Sequence, residues 1–236
     1  MPLILSTSWN AFRHKDAYRM LFEIRQLGFR FVELSFNLTP CMVKRIPLAA
    51  KRLGLNVISL HNYCPIPQGL TRREALPDCY SLSSKNRSNR KLAIKFSKVS
   101  IDTAKSLGAK VLVLHCGRVE MEDRTRELIR IYEHGGGRKA KFKRIRKDFS
   151  WQRAREAGGF LKQAISSIGE LSEYAGKKGI ALGIENRFYY REIPSFEEMG
   201  IILSKFKGTN VFYWHDTGHA RIMENLGFVK ENSYLS

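Results

Sequence analysis

Residues 180–220 read IALGIENRFYYREIPSFEEMGIILSKFKGTNVFYWHDTGHA. The stretch opens on an apolar run at 180–185, passes Pro194 and the spacing Ser195-Phe-Glu-Glu198, and closes on a second apolar run at 211–215. In a capping box the serine hydroxyl and the glutamate carboxylate each take up a backbone N–H left free at a helix start, so a helix over about 195–206 is expected. Strand, helix and strand in that order form a crossover unit, and crossovers of this length join parallel strands.

The same unit recurs along the chain. Short β-rich runs lie at 3–6 (LILS), 31–35 (FVELS), 57–61 (VISLH) and 111–115 (VLVLH), and apolar residues at helical spacing fill 17–27 (Ala17, Met20, Leu21, Ile24, Leu27). Glycine follows Leu27, Leu53, Leu107, Lys178 and Lys207, two to four residues before a strand. That is where a helix end needs a left-handed residue. Alternating helices and near-continuous apolar strands predict an α/β fold with a parallel sheet buried on both faces, which a doubly wound sheet and a barrel both satisfy.

With 236 residues and 43% hydrophobic content, the chain can bury one core, so 1–236 is read as a single domain. Lys and Arg number 41 against 22 Asp and Glu, and the formal charge of +19 sets up a field that draws phosphates or nucleic acid. The four cysteines form no C-x-x-C pair and no disulfide framework, which suits a reduced, cytoplasmic protein. No apolar run approaches the roughly 18 residues of a membrane span. Two connections break the short rhythm, at about 62–90 and 117–150, and both are expected as long loops. The second holds Gly135-Gly136-Gly137 and then RKAKFKRIRK (138–147), in which seven of ten residues are basic. This reads either as a solvated helix touching the body through Phe142 and Ile145 or as a phosphate-gripping lid.

Polar residues fall at the carboxyl ends of the predicted strands: His61, His115 and Glu185 end theirs and Asp216 follows its own. In parallel α/β folds these ends share one rim, so four side chains of metal-ligand type are expected to converge. Imidazole and carboxylate together suit zinc or manganese. Glu33 ends the second strand and is a candidate general acid or base, or a hydrogen-bond partner of a ligand; a salt bridge to a nearby basic residue is the alternative. Arg187 is a candidate for holding an anionic substrate group, with a surface ion pair as the alternative.

The runs VISLHNYCP, VLVLHCGR, LGIENR and WHDTGHA resemble the strand-end motifs of the xylose-isomerase-like TIM barrels, the superfamily of sugar isomerases, sugar epimerases and endonuclease IV. The resemblance runs from the first strand to about 226, and Asp216-Thr-Gly-His219 after I-E-N at 184–186 is its most specific part. It implies a (β/α) barrel with the last two β/α units lacking. It also implies metal ligands at His61, His115, Glu185, Asp216 and His219: Glu185 is shared, His61 and His115 serve one ion, Asp216 serves another, and His219 serves a third ion or the substrate. ENRFYY departs from the small residues that usually follow ENT in the endonuclease IV branch.

Three functions follow as expectations. The first is a divalent-metal-dependent sugar or sugar-phosphate isomerase or epimerase, in which Glu33 or Glu185 moves the α-proton through a metal-stabilised enediolate. The second is an endonuclease IV-like phosphodiesterase at abasic sites. The third is a non-catalytic metal-binding or nucleic-acid-binding barrel remnant. The expected partners are a small anionic substrate such as a phosphorylated sugar, nucleic acid under the second and third readings, and a homo-oligomer covering the open barrel edge. Without a seventh and eighth strand, weak or no catalysis by the monomer is expected.

Overall fold

The computed structural model describes residues 3–230 and 233–235. Its sheet has six strands in chain order, β1 (Ile4–Ser6), β2 (Phe31–Leu34), β3 (Asn56–His61), β4 (Val111–Leu114), β5 (Ala181–Glu185) and β6 (Val211–Trp214), every neighbouring pair parallel. Unbroken sequential order in a parallel sheet is the order of a (β/α) barrel, because a doubly wound sheet reverses direction at a switch point. Among the described residues β1 and β6 are not paired with each other, and six strands stand where a closed barrel has eight.

Each crossover carries helix: α1 (Ala17–Gln26), α2 (Pro40–Leu53), α3 (Arg87–Ser106), α4 (Thr125–Glu133) with α5 (Ala140–Gly176), and α6 (Phe196–Lys205); α7 (Thr217–Asn225) follows β6. Leu60, Leu112, Leu114, Leu182 and Ile184 of the strands are fully buried with Met20, Leu21 and Ile24 of α1, Ile46 of α2, Ile101 of α3, Ile168 and Leu171 of α5 and Ile202 of α6 in one core. The helix starts are set by side-chain caps, Asp16 accepting from the Arg19 N–H and Thr39 from the Met42 N–H. At the end of α2, Gly54 takes φ 63°, which only glycine adopts without strain. The capping box at α6 is present with both of its hydrogen bonds.

The connection after β3 is irregular from 62 to 86. The one after β4 corrects the expectation of a long loop over 117–150, because α4 and the first turns of the 37-residue α5 occupy much of it. Phe142, Ile145 and Phe149 recur at three- and four-residue spacing and are all buried, so a helical face runs through the basic segment while its charges stay outside. The basic run at 138–147 thus lies mostly at the start of α5.

Candidate metal centre

Parallel strands in register bring the site residues to one end of the sheet. His61 is the last residue of β3, opposite Val113, and His115 comes one residue after β4. Glu185 ends β5 opposite Trp214, and Asp216 stands two residues beyond Trp214. Ligand-type atoms of His61, His115 and Glu185 lie within 4.8 Å of one another, and so do those of Glu185, Asp216 and His219. All five predicted residues therefore meet, with Glu185 common to both groups.

The two groups differ in how they are held. On the open side, Asp216 caps α7: one carboxylate oxygen accepts the His219 N–H at 2.8 Å, leaving the other available. Asn186 ties the two strands together, its amide oxygen accepting the Asp216 N–H at 2.7 Å and its amide nitrogen donating to the Asp216 carbonyl at 2.9 Å. Its backbone carbonyl accepts from His219 Nδ1 at 2.9 Å. This fixes the tautomer and leaves Nε2 with its lone pair, the arrangement in which histidines bind metals. Phe188 stacks on the same ring at 5.2 Å.

On the inner side, the His61 and His115 rings meet edge to face at 5.3 Å. Glu33 accepts from the Ser59 hydroxyl at 3.0 Å and lies 3.6 Å from His61 Nδ1, while His61 Nε2 lies 3.6 Å from Glu185. Burial alone would lower the His61 pKa, but Glu185 and Glu33 outweigh it and raise the imidazole to about 9. Burial likewise penalises charge on Glu185 and Glu33. Contacts with His115 and His61 at Glu185, and with His61 and Ser59 at Glu33, nevertheless hold both carboxyls below their ordinary value.

Arg187, a candidate for an anionic substrate group, is buried and engaged with protein carboxylates. Its Nε and one terminal nitrogen meet the Glu192 carboxylate at 3.2 and 3.1 Å, and the other terminal nitrogen contacts both Glu185 and, at 2.8 Å, His115 Nε2. Asp78, from the 62–86 connection, lies 3.7 Å from His115 Nδ1, which is buried without a hydrogen-bond partner. The loop carrying Glu192 is in turn clamped by Arg153 of α5. This arginine donates to the Tyr190 and Glu192 carbonyls at 2.6 and 2.8 Å and pairs in two-pronged fashion with Glu198 of α6.

Asp78, Arg153, Asn186 and Glu192 were not singled out from sequence. Asn186 stands between Glu185 and Arg187, and Glu192 five residues beyond Arg187, whereas Asp78 and Arg153 lie in a loop and a helix far away in the chain, with no local signal. The donor set is of the type that holds a divalent ion: the Glu185 and Asp216 carboxylates lie 3.9 and 3.8 Å from His219 Nδ1, and the Asn186 carbonyl on that nitrogen leaves Nε2 as the ring's lone-pair donor.

The family model for the xylose isomerase-like TIM barrel matches residues 21–232. No curated protein matches the chain significantly in sequence. Among solved structures, a D-tagatose 3-epimerase-like protein aligns at 18% identity and a TM-score of 0.64, over 96% of this chain and 71% of its own. An L-ribulose 3-epimerase aligns at 18% and 0.63, over 95% and 63%. The 3-keto-D-glucoside 4-epimerase of E. coli aligns at 14% and 0.65, over 95% and 72%. At such identities these likenesses show the fold, and the chain spans about two thirds of the length of these proteins. Parallel strand order, a matching family model over most of the length and the same architecture in these structures agree: the chain belongs to the xylose isomerase-like TIM barrel family.

Proposed function

We propose that the protein is a divalent-metal-dependent isomerase or epimerase of a small sugar or sugar phosphate. The observation that carries this reading is the convergence of Glu185 and Asp216, from neighbouring strands, with His219 at the open end of the sheet. Glu185, Asp216 and His219 would hold the ion, zinc or manganese by the chemistry of the donors. His61 and His115 on the far side of Glu185 are donors of the same kind. When bound, the ion would supply charge stabilisation to a carbonyl and hydroxyl pair on the substrate.

The chain's own groups do the rest. The Glu185 carboxylate is the group placed to move the proton on the carbon beside that carbonyl, and Glu33 keeps His61 oriented beneath it. Asp216 and His219 are the exposed members of the set, with side chains 37% and 21% accessible, so substrate would approach from their side. The charge of +19 favours an anionic sugar. The epimerase likenesses point the same way.

A second reading, an endonuclease IV-like phosphodiesterase, draws on the paired His61 and His115 imidazoles and on the basic surface. Chelator-treated protein reloaded with zinc or manganese, then given a panel of ketoses and phosphosugars beside an abasic-site duplex, decides between them. Epimerised sugar without strand cleavage is the expected result. Cleavage without epimerisation would replace the first reading by the second.

A further inference from the structure

We propose that the Arg187 guanidinium is the resident cation of the His61, His115 and Glu185 side. That side then takes a divalent ion only when the guanidinium is withdrawn, and the resting protein's single ion belongs to Glu185, Asp216 and His219. The inference rests on the metal reading of the same site.

The geometry at one nitrogen carries it. An arginine has only protons to give, so at 2.8 Å from His115 Nε2 the terminal nitrogen of Arg187 donates and the imidazole lone pair receives. The second proton of that nitrogen goes to Glu185. A divalent ion on this side would need the same His115 lone pair, and the two cations cannot share it; the Glu185 oxygen that Arg187 meets also lies 3.9 Å from His219 Nδ1, so it is the imidazole and not the carboxylate that separates the two sides. His115 Nε2 also lies 2.9 Å from Glu185, so guanidinium, imidazole and carboxylate meet at one point with no room for a further ion among them.

The other end of the guanidinium is fixed as well. Glu192 grips it with two oxygens, and the Glu192 backbone is gripped by Arg153, itself locked to Glu198. The clamp thus runs from α6 through α5 to the end of β5, and Arg187, with its side chain 6% accessible, has no solvent-facing alternative in this arrangement. His219 stands in contrast, since its Nδ1 is committed to the Asn186 carbonyl and no cation of the protein meets its Nε2 among the described residues.

Metal content tests this without any turnover assay. Chelator-treated protein is equilibrated with Zn²⁺ or Co²⁺, desalted and counted by mass spectrometry, with affinity from calorimetry. One tight equivalent is expected in the wild type, and Arg187→Met should raise the count to two. Because that variant strands Glu192, the pair Arg187→Met with Glu192→Gln removes both charges together. His115→Ala should keep one equivalent with affinity changed less than about threefold, whereas Asp216→Asn should weaken it roughly 10- to 100-fold. Two tight equivalents in the wild type, or loss of the single ion in His115→Ala, would overturn the Arg187 assignment and leave the metal reading standing. No tight ion in the wild type would instead remove the metal reading itself.

Discussion

The two flanks of Glu185 use the same residue types to different ends. Toward β3 and β4, two imidazoles sit among Glu33, Asp78 and Glu192, and a buried arginine takes up the His115 Nε2 and Glu185 atoms that a metal would use. Toward β6, one Asp216 oxygen and His219 Nε2 remain uncommitted, because the helix cap takes the other oxygen and the Asn186 carbonyl takes Nδ1, the ring nitrogen 3.8 and 3.9 Å from Asp216 and Glu185. The contrast teaches that a cluster of ligand-type side chains is defined by what its lone pairs already do. Proximity is equal on both flanks; availability is not.

The largest expected effect comes from the residue the flanks share. Glu185→Gln should weaken zinc or manganese binding on the order of 100-fold or more, since a neutral amide gives up the anionic ligand common to both groups. Calorimetric titration checks it, and a loss smaller than that of Asp216→Asn would put the centre of the site elsewhere.

Asp216 comes next, because its two roles can be separated. Asn caps a helix about as well as Asp, so Asp216→Asn should leave Tm nearly unchanged while metal affinity falls roughly 10- to 100-fold; Asp216→Ala should add a loss of about 1 kcal/mol from the missing cap. Equal melting temperatures for the two variants would mean that the cap contributes little to α7.

The pH dependence of the chelator-treated protein reads the inner flank. His61 has its pKa raised from 6.5 to about 9 by folding, so its contribution is complete below about pH 6.5 and is lost as pH rises through about 9. Unfolding free energies from denaturant titrations at about pH 6 and pH 10 should therefore differ by about 3 kcal/mol in favour of the lower pH, with His61→Gln flattening the profile. Glu33 and Glu185 act in the opposite sense: with folded pKa values below the ordinary carboxylate range, they lose their contribution only as pH falls beneath it. A profile still sloping in His61→Gln would assign the alkaline loss to another group.

The smallest effect is expected at Asp78. Replacing a carboxylate behind a ligating histidine usually weakens metal binding about 10- to 100-fold, but His115 has its lone pair on Arg187, so Asp78→Asn should change affinity by less than about threefold. A tenfold loss would show that His115 binds the ion after all.

How much of this was open to reading from the chain depends on range. The strands were legible because each is a short apolar run and all but the first follow a glycine, and His61, His115, Glu185 and Asp216 could be placed at one rim because parallel strands all end on the same face. The helix through 140–147 was obscured because its buried residues, Phe142, Ile145 and Phe149, are spaced among charges that dominate the composition. The role of Arg187 was hidden for a different reason. Two residues from Glu185, it could equally face solvent or core, and only the loop that returns Glu192 against it, held by Arg153 and Glu198, selects the core.

Sequence alone therefore determined the order of the strands and the candidate side chains at the carboxyl rim, since both follow from local periodicity and from the polarity of a parallel sheet. Only the tertiary structure decided which of those side chains have free lone pairs. That is settled by partners distant in the chain: the Asn186 carbonyl frees His219 Nε2, and the Glu192 carboxylate presses Arg187 onto His115 and Glu185.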